Sequence, residues 1–185
     1  MLGYSHKKCR MGLLRIGGVI SLLLILSRCE TTAPSDTCYE ASGMTACILK
    51  NNAGSELVHV TVAGDTHSWP LPYPAYQFLF EDISNNGEKD ILVGVVKKTR
   101  FDTIERKRVF VFKIFENEIR PLWLGSRLGM PIHDFEVKRI NGENYLQAVE
   151  EEQSGKYAVT LYQWDQFGFK FIEYLHREKE LHEIQ

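Results

Sequence analysis

From Thr45 onward the chain is a succession of short apolar runs, each cut off by Gly, Asn, Asp or Pro. The runs are Thr45–Lys50, Glu56–Val62, Tyr76–Ile83, Ile91–Lys97, Arg108–Phe115, Ile119–Leu124, Asp134–Ile140, Asn144–Glu151, Tyr157–Asp165 and Phe169–Leu175. Segments this short and this rich in β-branched and aromatic residues fit strands better than helices. The 21 Phe, Tyr and Trp residues supply large side chains for the faces of a sheet. The expected class is therefore all-β, an antiparallel meander. Arg108–Phe115 is apolar on nearly both faces, as in a strand packed between two layers. Only the tail after Leu175, rich in charge, has a helical look.

Two stretches repeat one another. Phe78-Leu-Phe-Glu-Asp-Ile-Ser-Asn-Asn-Gly-Glu-Lys-Asp-Ile-Leu-Val begins the first, and Phe135-Glu-Val-Lys-Arg-Ile-Asn-Gly-Glu-Asn-Tyr-Leu-Gln-Ala-Val begins the second. Each runs strand, Asn-Gly turn, strand, loop, aromatic strand, turn and final strand. Residues 38–72, with Trp69 near their end, read as a third and more degenerate unit. A period of about 55 residues lies in the range of long propeller repeats. About three four-stranded, propeller-like units are too few to close a ring, so an open array or a sandwich is expected.

The N-terminus has a different character. Lys7, Lys8, Arg10 and Arg15 precede an uncharged run from Ile16 to Leu26. That run suits the apolar region of a signal peptide and falls short of the roughly 20 residues of a membrane span. Met11 is an alternative start that leaves Arg15 as the positive charge. Leu26-Ser27-Arg28-Cys29 resembles the lipobox of bacterial lipoproteins, although Arg28 stands where that family has a small residue. The resemblance implies acylation of Cys29, cleavage before it, and attachment of an exported chain to an envelope membrane. The lipid-bearing face is periplasmic or cell-surface. An uncleaved anchor and cleavage within Thr32-Ala-Pro-Ser35 are the alternatives. The expected layout is a signal peptide over 1–28, a tether over 29–37, a β-repeat domain over 38–175 and a charged tail over 176–185.

Residues 1–28 hold five positive charges and no acid, which leaves 17 basic residues against 24 acidic ones in the remainder, near −7. A mildly acidic body argues against nucleic acid as a partner. With Cys9 in the signal and Cys29 acylated, Cys38 and Cys47 remain as a pair in an oxidising compartment. If Ser42-Gly43 form a two-residue turn, the two face each other at a non-hydrogen-bonded position. Cα atoms approach there to about 4.5 Å, within disulfide range. A cross-strand disulfide is expected; two free, partly buried thiols are the alternative.

Asp82-Ile-Ser84-Asn-Asn86-Gly87-Glu-Lys-Asp90 places oxygen side chains at alternate positions and Gly87 at the sharp turn. An apolar strand follows directly. The segment resembles the calcium loop of FG-GAP and VCBS-type β-propeller repeats. The resemblance implies Asp82, Ser84, Asn86 and Asp90 as ligands of a weakly held Ca2+. With only two carboxylates, the expected affinity is in the roughly millimolar range of extracellular modules. The corresponding segment of the second copy, Lys138-Arg-Ile-Asn-Gly-Glu143, has no acid in the first five positions. The alternative is a turn held by side-chain to backbone hydrogen bonds with no metal.

Two further stretches stand out. The segment 97–108 carries Lys97, Lys98, Arg100, Arg106, Lys107 and Arg108, partly balanced by Asp102 and Glu105. It is either a solvated loop or a contact for an anionic surface such as lipid headgroups or envelope polymer. The segment 121–135 carries Trp123, Arg127, His133 and Asp134 with two glycines, a mix that suits a loop facing a ligand or partner and equally a connection packed between units. No catalytic motif accompanies them. His133 and Asp134 do not form a triad with Ser126, because adjacent residues on a strand point to opposite faces. His176 and His182 are six apart, wrong for two ligands on one helical face. Ser154-Gly-Lys-Tyr157 resembles a loop of periplasmic lysozyme inhibitors. The expectation is a non-enzymatic binding or scaffolding lipoprotein with a protein or envelope-polymer partner. An inhibitor or sensor of an envelope enzyme, acting through 121–135 or 153–157, is the alternative, and a hydrolase is the third.

Overall fold

A computed structural model describes residues 37–51, 54–61, 64–125 and 127–184. Cys29, the export segment, the tether up to residue 36 and Ser126 lie outside the described residues. Twelve strands follow in chain order: β1 (Thr37–Ala41), β2 (Met44–Asn51), β3 (Gly54–Thr61), β4 (Thr66–Leu71), β5 (Ala75–Glu81), β6 (Asp90–Lys97), β7 (Arg106–Phe115), β8 (Glu118–Leu124), β9 (Ile132–Ile140), β10 (Glu143–Glu151), β11 (Tyr157–Asp165) and β12 (Gly168–Lys179). The only helix among the described residues is one 3-10 turn, Leu181–Glu183.

β1 to β4 form one antiparallel sheet in sequence order. The other eight strands form a second sheet, seven on one path with β8 paired to β7 beside it, but β7 and β9 meet at a single residue pair, Lys107 and Ile132. That sheet therefore divides into two meanders, β5–β8 and β9–β12. The architecture is all-β and antiparallel, with three four-stranded meanders as the repeat pattern led one to expect.

The middle meander explains the stacking. Along β6, Ile91, Val93 and Val95 face the first meander, while Leu92 faces the third. Along β7, Phe110 and Phe112 face the first, and Val109 and Val111 the third. The period of two puts alternate residues on opposite faces, so a run apolar at every position must be covered twice. On one side Ala46, Ile48, Leu57 and Leu71 supply the cover. On the other, Phe135, Leu146, Ala148 and Tyr162 do so. The closing strands repeat a device: Trp69 of β4 packs on Phe112 across the first interface, and Trp123 of β8 meets Phe169 across the second, with ring centroids 5.8 and 5.1 Å apart.

Gly94 interrupts the apolar run for a reason of space. A Cβ there would lie 2.6 Å from Tyr76 Cζ, and the Tyr76 ring in turn packs edge-on against Phe135 of the third meander.

Two strands, β1 and β4, are additional to the ten apolar runs. β4 contains Pro70, which is tolerated because β4 is an edge strand. The first hairpin turns at Ser42-Gly43, with Cys38 opposite Cys47 and Ala41 opposite Met44. The two cysteines are joined by a disulfide across a Cα–Cα distance of 4.1 Å. The larger difference lies at the C-terminus. Residues 176–179, expected as the start of a helical tail, extend β12, with Lys179 paired to Tyr157. Glu152 explains this: it is buried, accepts from Arg177 Nε at 2.7 Å and takes the Glu178 amide at 3.0 Å. Three register irregularities along β12, with Lys170, Glu173 and Arg177 on the strand, guard its long outer edge.

Gly94→Ala is expected to destabilise the fold by about 1–3 kcal/mol through overpacking. Urea midpoints for Gly94→Ala, Tyr76→Ala and the double variant check this. Most of the penalty should vanish where the Tyr76 ring is gone.

Candidate functional site

Alternating strands give the stack two ends. The starts of β1, β3, β5, β7, β9 and β11 share one end with the finishes of the even strands. The three-residue link 72–74, the β6–β7 loop and the β8–β9 connection all lie there. The turns at 42–43, 116–117, 141–142 and 166–167 lie at the other, together with the loop 82–89.

At the first end a cavity of about 830 Å3 opens where the three connections converge. Lys97, Lys98, Arg100, Arg106, Lys107 and Arg108 come from the β6–β7 side, and Arg127 from the β8–β9 side. Asp102 is the only acid in the lining among the described residues. It is already engaged: Arg108 Nη2 lies 2.7 Å from its Oδ2, and Arg106 Nε lies 3.3 Å from the same oxygen. These partners, with the Ile104 amide, outweigh desolvation and hold the Asp102 carboxyl below its ordinary range. Arg108 is buried at 4% exposure, and its Nε has no hydrogen-bond partner among the described residues. Lys97 Nζ sits 4.4 Å from the centre of the Tyr73 ring and 5.1 Å from that of Phe110. Lys107 Nζ donates to the His133 carbonyl at 2.6 Å. Lys98, Arg100 and Arg127 have no carboxylate within ion-pair distance among the described residues. Two stretches that the sequence presents as separate, 97–108 and 121–135, thus form two walls of one basic cavity.

The second wall is pinned from behind. Glu150 of β10 is fully buried and accepts from the Met130 amide at 2.9 Å. The Tyr162 hydroxyl donates to Glu150 at 2.9 Å and accepts from the Gly129 amide at 3.0 Å. Burial raises the pKa of both groups; at Glu150 the hydrogen bonds and the charge of Arg127 only partly oppose it. Nothing in the sequence marks Glu150 beyond its place in an alternating strand. It was missed because its partners Tyr162 and Met130 lie 12 and 20 residues away.

The four residues expected to face a ligand do not converge. Only Arg127 lines the cavity. Trp123 packs between meanders against Phe169. The His133 ring stacks edge-on against Tyr157 at 5.2 Å, and Asp134 accepts from the next amide, Phe135 N, at 2.9 Å. The missed lining residue Tyr73 left no signal, because its link is only three residues long.

At the far end, the loop 82–90 is held by its own backbone. Asp82 Oδ1 and Oδ2 accept from the Asn86 and Gly87 amides at 3.1 and 2.9 Å. Asp90 Oδ2 takes the Ser84 amide at 2.9 Å, and Asn86 Oδ1 the Glu88 amide at 2.8 Å. Asn85, outside the alternating set, reaches the third meander: its Oδ1 accepts from Asn144 N at 2.6 Å and its Nδ2 donates to Asn144 O at 2.9 Å. Burial raises the Asp90 carboxyl, and the charge of nearby Asp82 adds to the rise. Among the described residues, no group of three or more His, Cys, Asp or Glu converges as a metal cluster would. The loop therefore works as a clip between meanders as it stands, and a cation would compete with amide donors for the same carboxylates.

Comparison of the chain with family models, with curated proteins and with solved structures returns no match. Among the described residues, no helix is long and apolar enough to cross a membrane.

The raised Glu150 pKa fixes a pH dependence. Folding binds a proton between the unfolded carboxyl value, about 4.3, and the raised folded one, so stability falls as pH rises through that interval. Glu150→Gln keeps an acceptor for the Met130 amide and has no proton to lose. Its urea midpoint relative to the parent is expected to climb as pH is taken from about 4 to about 7. A constant difference across that range would contradict the assignment.

Proposed function

We propose that this chain is a non-enzymatic, lipid-anchored cell-envelope protein that binds an anionic component of the envelope in the basic cavity. One observation carries the reading: seven cationic side chains line the cavity against a single acid that is already paired. In a domain whose remainder is acidic, that concentration of one sign focuses potential at one mouth. The N-terminal motif adds a second support. Eight residue steps separate Cys29 from Thr37, a reach of at most about 28 Å. Thr37 opens β1 at the cavity end of the strands. A lipid on Cys29 would then hold the cavity near the membrane surface. The non-enzymatic reading is supported by the contacts of His133, which stacks on Tyr157, and of Asp134, which accepts from the Phe135 amide.

Two experiments test the reading. Native protein and a Cys29→Ser variant are compared by intact mass and detergent partitioning. Loss of 28 residues with gain of acyl mass, both absent from the variant, is the expected result. Binding of pyrophosphate and of a sulfated polysaccharide is then measured by calorimetry. Lys98→Glu with Arg100→Glu is expected to weaken binding at least about tenfold, or 1.4 kcal/mol, and added salt should weaken it further. Unchanged binding would move the site elsewhere. A single stoichiometric enzyme partner in envelope extracts would favour the inhibitor alternative.

The same reading assigns weak calcium binding to Asp82, Ser84, Asn86 and Asp90, supported by two carboxylates brought to one turn. Millimolar calcium is expected to raise Tm and Asp82→Asn to abolish the rise; no shift leaves the loop a hydrogen-bonded clip.

A further inference from the structure

The β6–β7 loop carries a feature that the charge of the cavity does not explain. Phe101 is 93% exposed and Ile104 57% exposed. Both are large apolar side chains left in water at the rim of a site lined by cations. Isolated exposed apolar residues are common, but the loop holds Phe101 at the tip of a closed turn, with Ile104 just beyond it. Thr99 N donates to the Asp102 carbonyl at 2.8 Å, and Asp102 N donates to the Thr99 carbonyl at 3.4 Å and to Thr99 Oγ1 at 3.0 Å. Arg100 and Phe101 therefore stand at the tip of a closed turn. The Arg100 guanidinium lies 5.6 Å from the centre of the Phe101 ring. Asp102, the acid nearest the tip, is drawn away from it by Arg106 and by buried Arg108. Glu105 is the remaining acid of the loop.

A soluble polyanion rewards the cations and gives nothing to Phe101 or Ile104. A bilayer interface rewards both, because aromatic and aliphatic groups settle at headgroup depth while Lys and Arg meet the phosphates. The chain also enters the domain, at Thr37, from the end of the strands where the loop projects.

We propose that this end of the domain docks on an anionic phospholipid surface. Phe101 and Ile104 enter the headgroup region, and Lys98, Arg100, Lys107 and Arg127 engage lipid phosphates, with one headgroup seated in the cavity. The inference rests on the anion-binding function proposed above and names its ligand class. Each cation removed is expected to weaken the contact by about fivefold. Phe101 and Ile104 decide whether the contact is interfacial or merely electrostatic.

The test uses the full chain carrying Phe101→Trp, a change at an exposed tip that should leave the urea midpoint unaltered. The protein is incorporated into vesicles of phosphatidylcholine alone or of equimolar phosphatidylcholine and phosphatidylglycerol, each with and without brominated acyl chains. The quenching of this added indole is read against the parent chain, which supplies the signal of Trp69, Trp123 and Trp164. Quenching in the anionic vesicles only, removed by Lys98→Glu with Arg100→Glu, is the expected result. Equal quenching in the phosphatidylcholine vesicles would overturn the requirement for an anionic lipid surface. No quenching in either, with glycerol phosphate still binding the protein in calorimetry, would overturn the docking while the anion site stands. No quenching and no binding of glycerol phosphate, pyrophosphate or polysaccharide would remove both.

Discussion

The stacking of three meanders depends on two strands at its centre that are apolar on both faces. A strand at the surface of a sandwich alternates, because one face is wet. β6 and β7 do not alternate, and Phe110 and Phe112 on one side with Val109 and Val111 on the other leave no face for water. Burying such strands requires a cover above and a cover below, and the chain provides them from its first and last four strands. Without that demand the first and third meanders would each be a thin sheet with one apolar face, the kind of element that does not persist alone in water.

The stack has no ring closure, and this gives the molecule its candidate site. The second and third meanders share a single backbone bridge, at Lys107 and Ile132, and are otherwise held by side chains. Beside the bridge, whose two residues line the cavity, the long β6–β7 loop and the β8–β9 connection leave a wedge. Buried Glu150 and the Tyr162 hydroxyl fasten the outer wall of that wedge to the third meander, while Arg108 and Asp102 brace the inner one. The opposite end is closed more tightly, by the exchange of hydrogen bonds between Asn85 and Asn144. One end is thus joined across the meanders by polar contacts, and the other is open and lined with cations.

How much of this was legible in the sequence follows the range of the interactions. The facing of Cys38 and Cys47 was readable because a two-residue turn fixes register over a handful of residues. The strands β5 to β11 were readable because their apolar content is intrinsic to each run. β4 was not, since Pro70 breaks the pattern and only its edge position makes the proline acceptable. The extension of β12 beyond Leu175 was not, since it depends on Glu152 across a loop holding Arg177 and the Glu178 amide. The basic residues of 97–108 were visible, but not that Arg127 and Tyr73 would join them.

Local chemistry therefore determined the class of fold, the number of units and the first hairpin, and the lipobox-like segment ending at Cys29 is likewise a local pattern. Each rests on residues close together in the chain, where spacing and side-chain type already limit the geometry. The tertiary structure decided which strands lie in the middle, that Trp123 packs on Phe169 and His133 on Tyr157, and that two loops enclose one cavity. Those outcomes depend on contacts between residues tens of positions apart, whose formation is governed by how the faces of whole sheets are buried and not by any property of the residues taken singly.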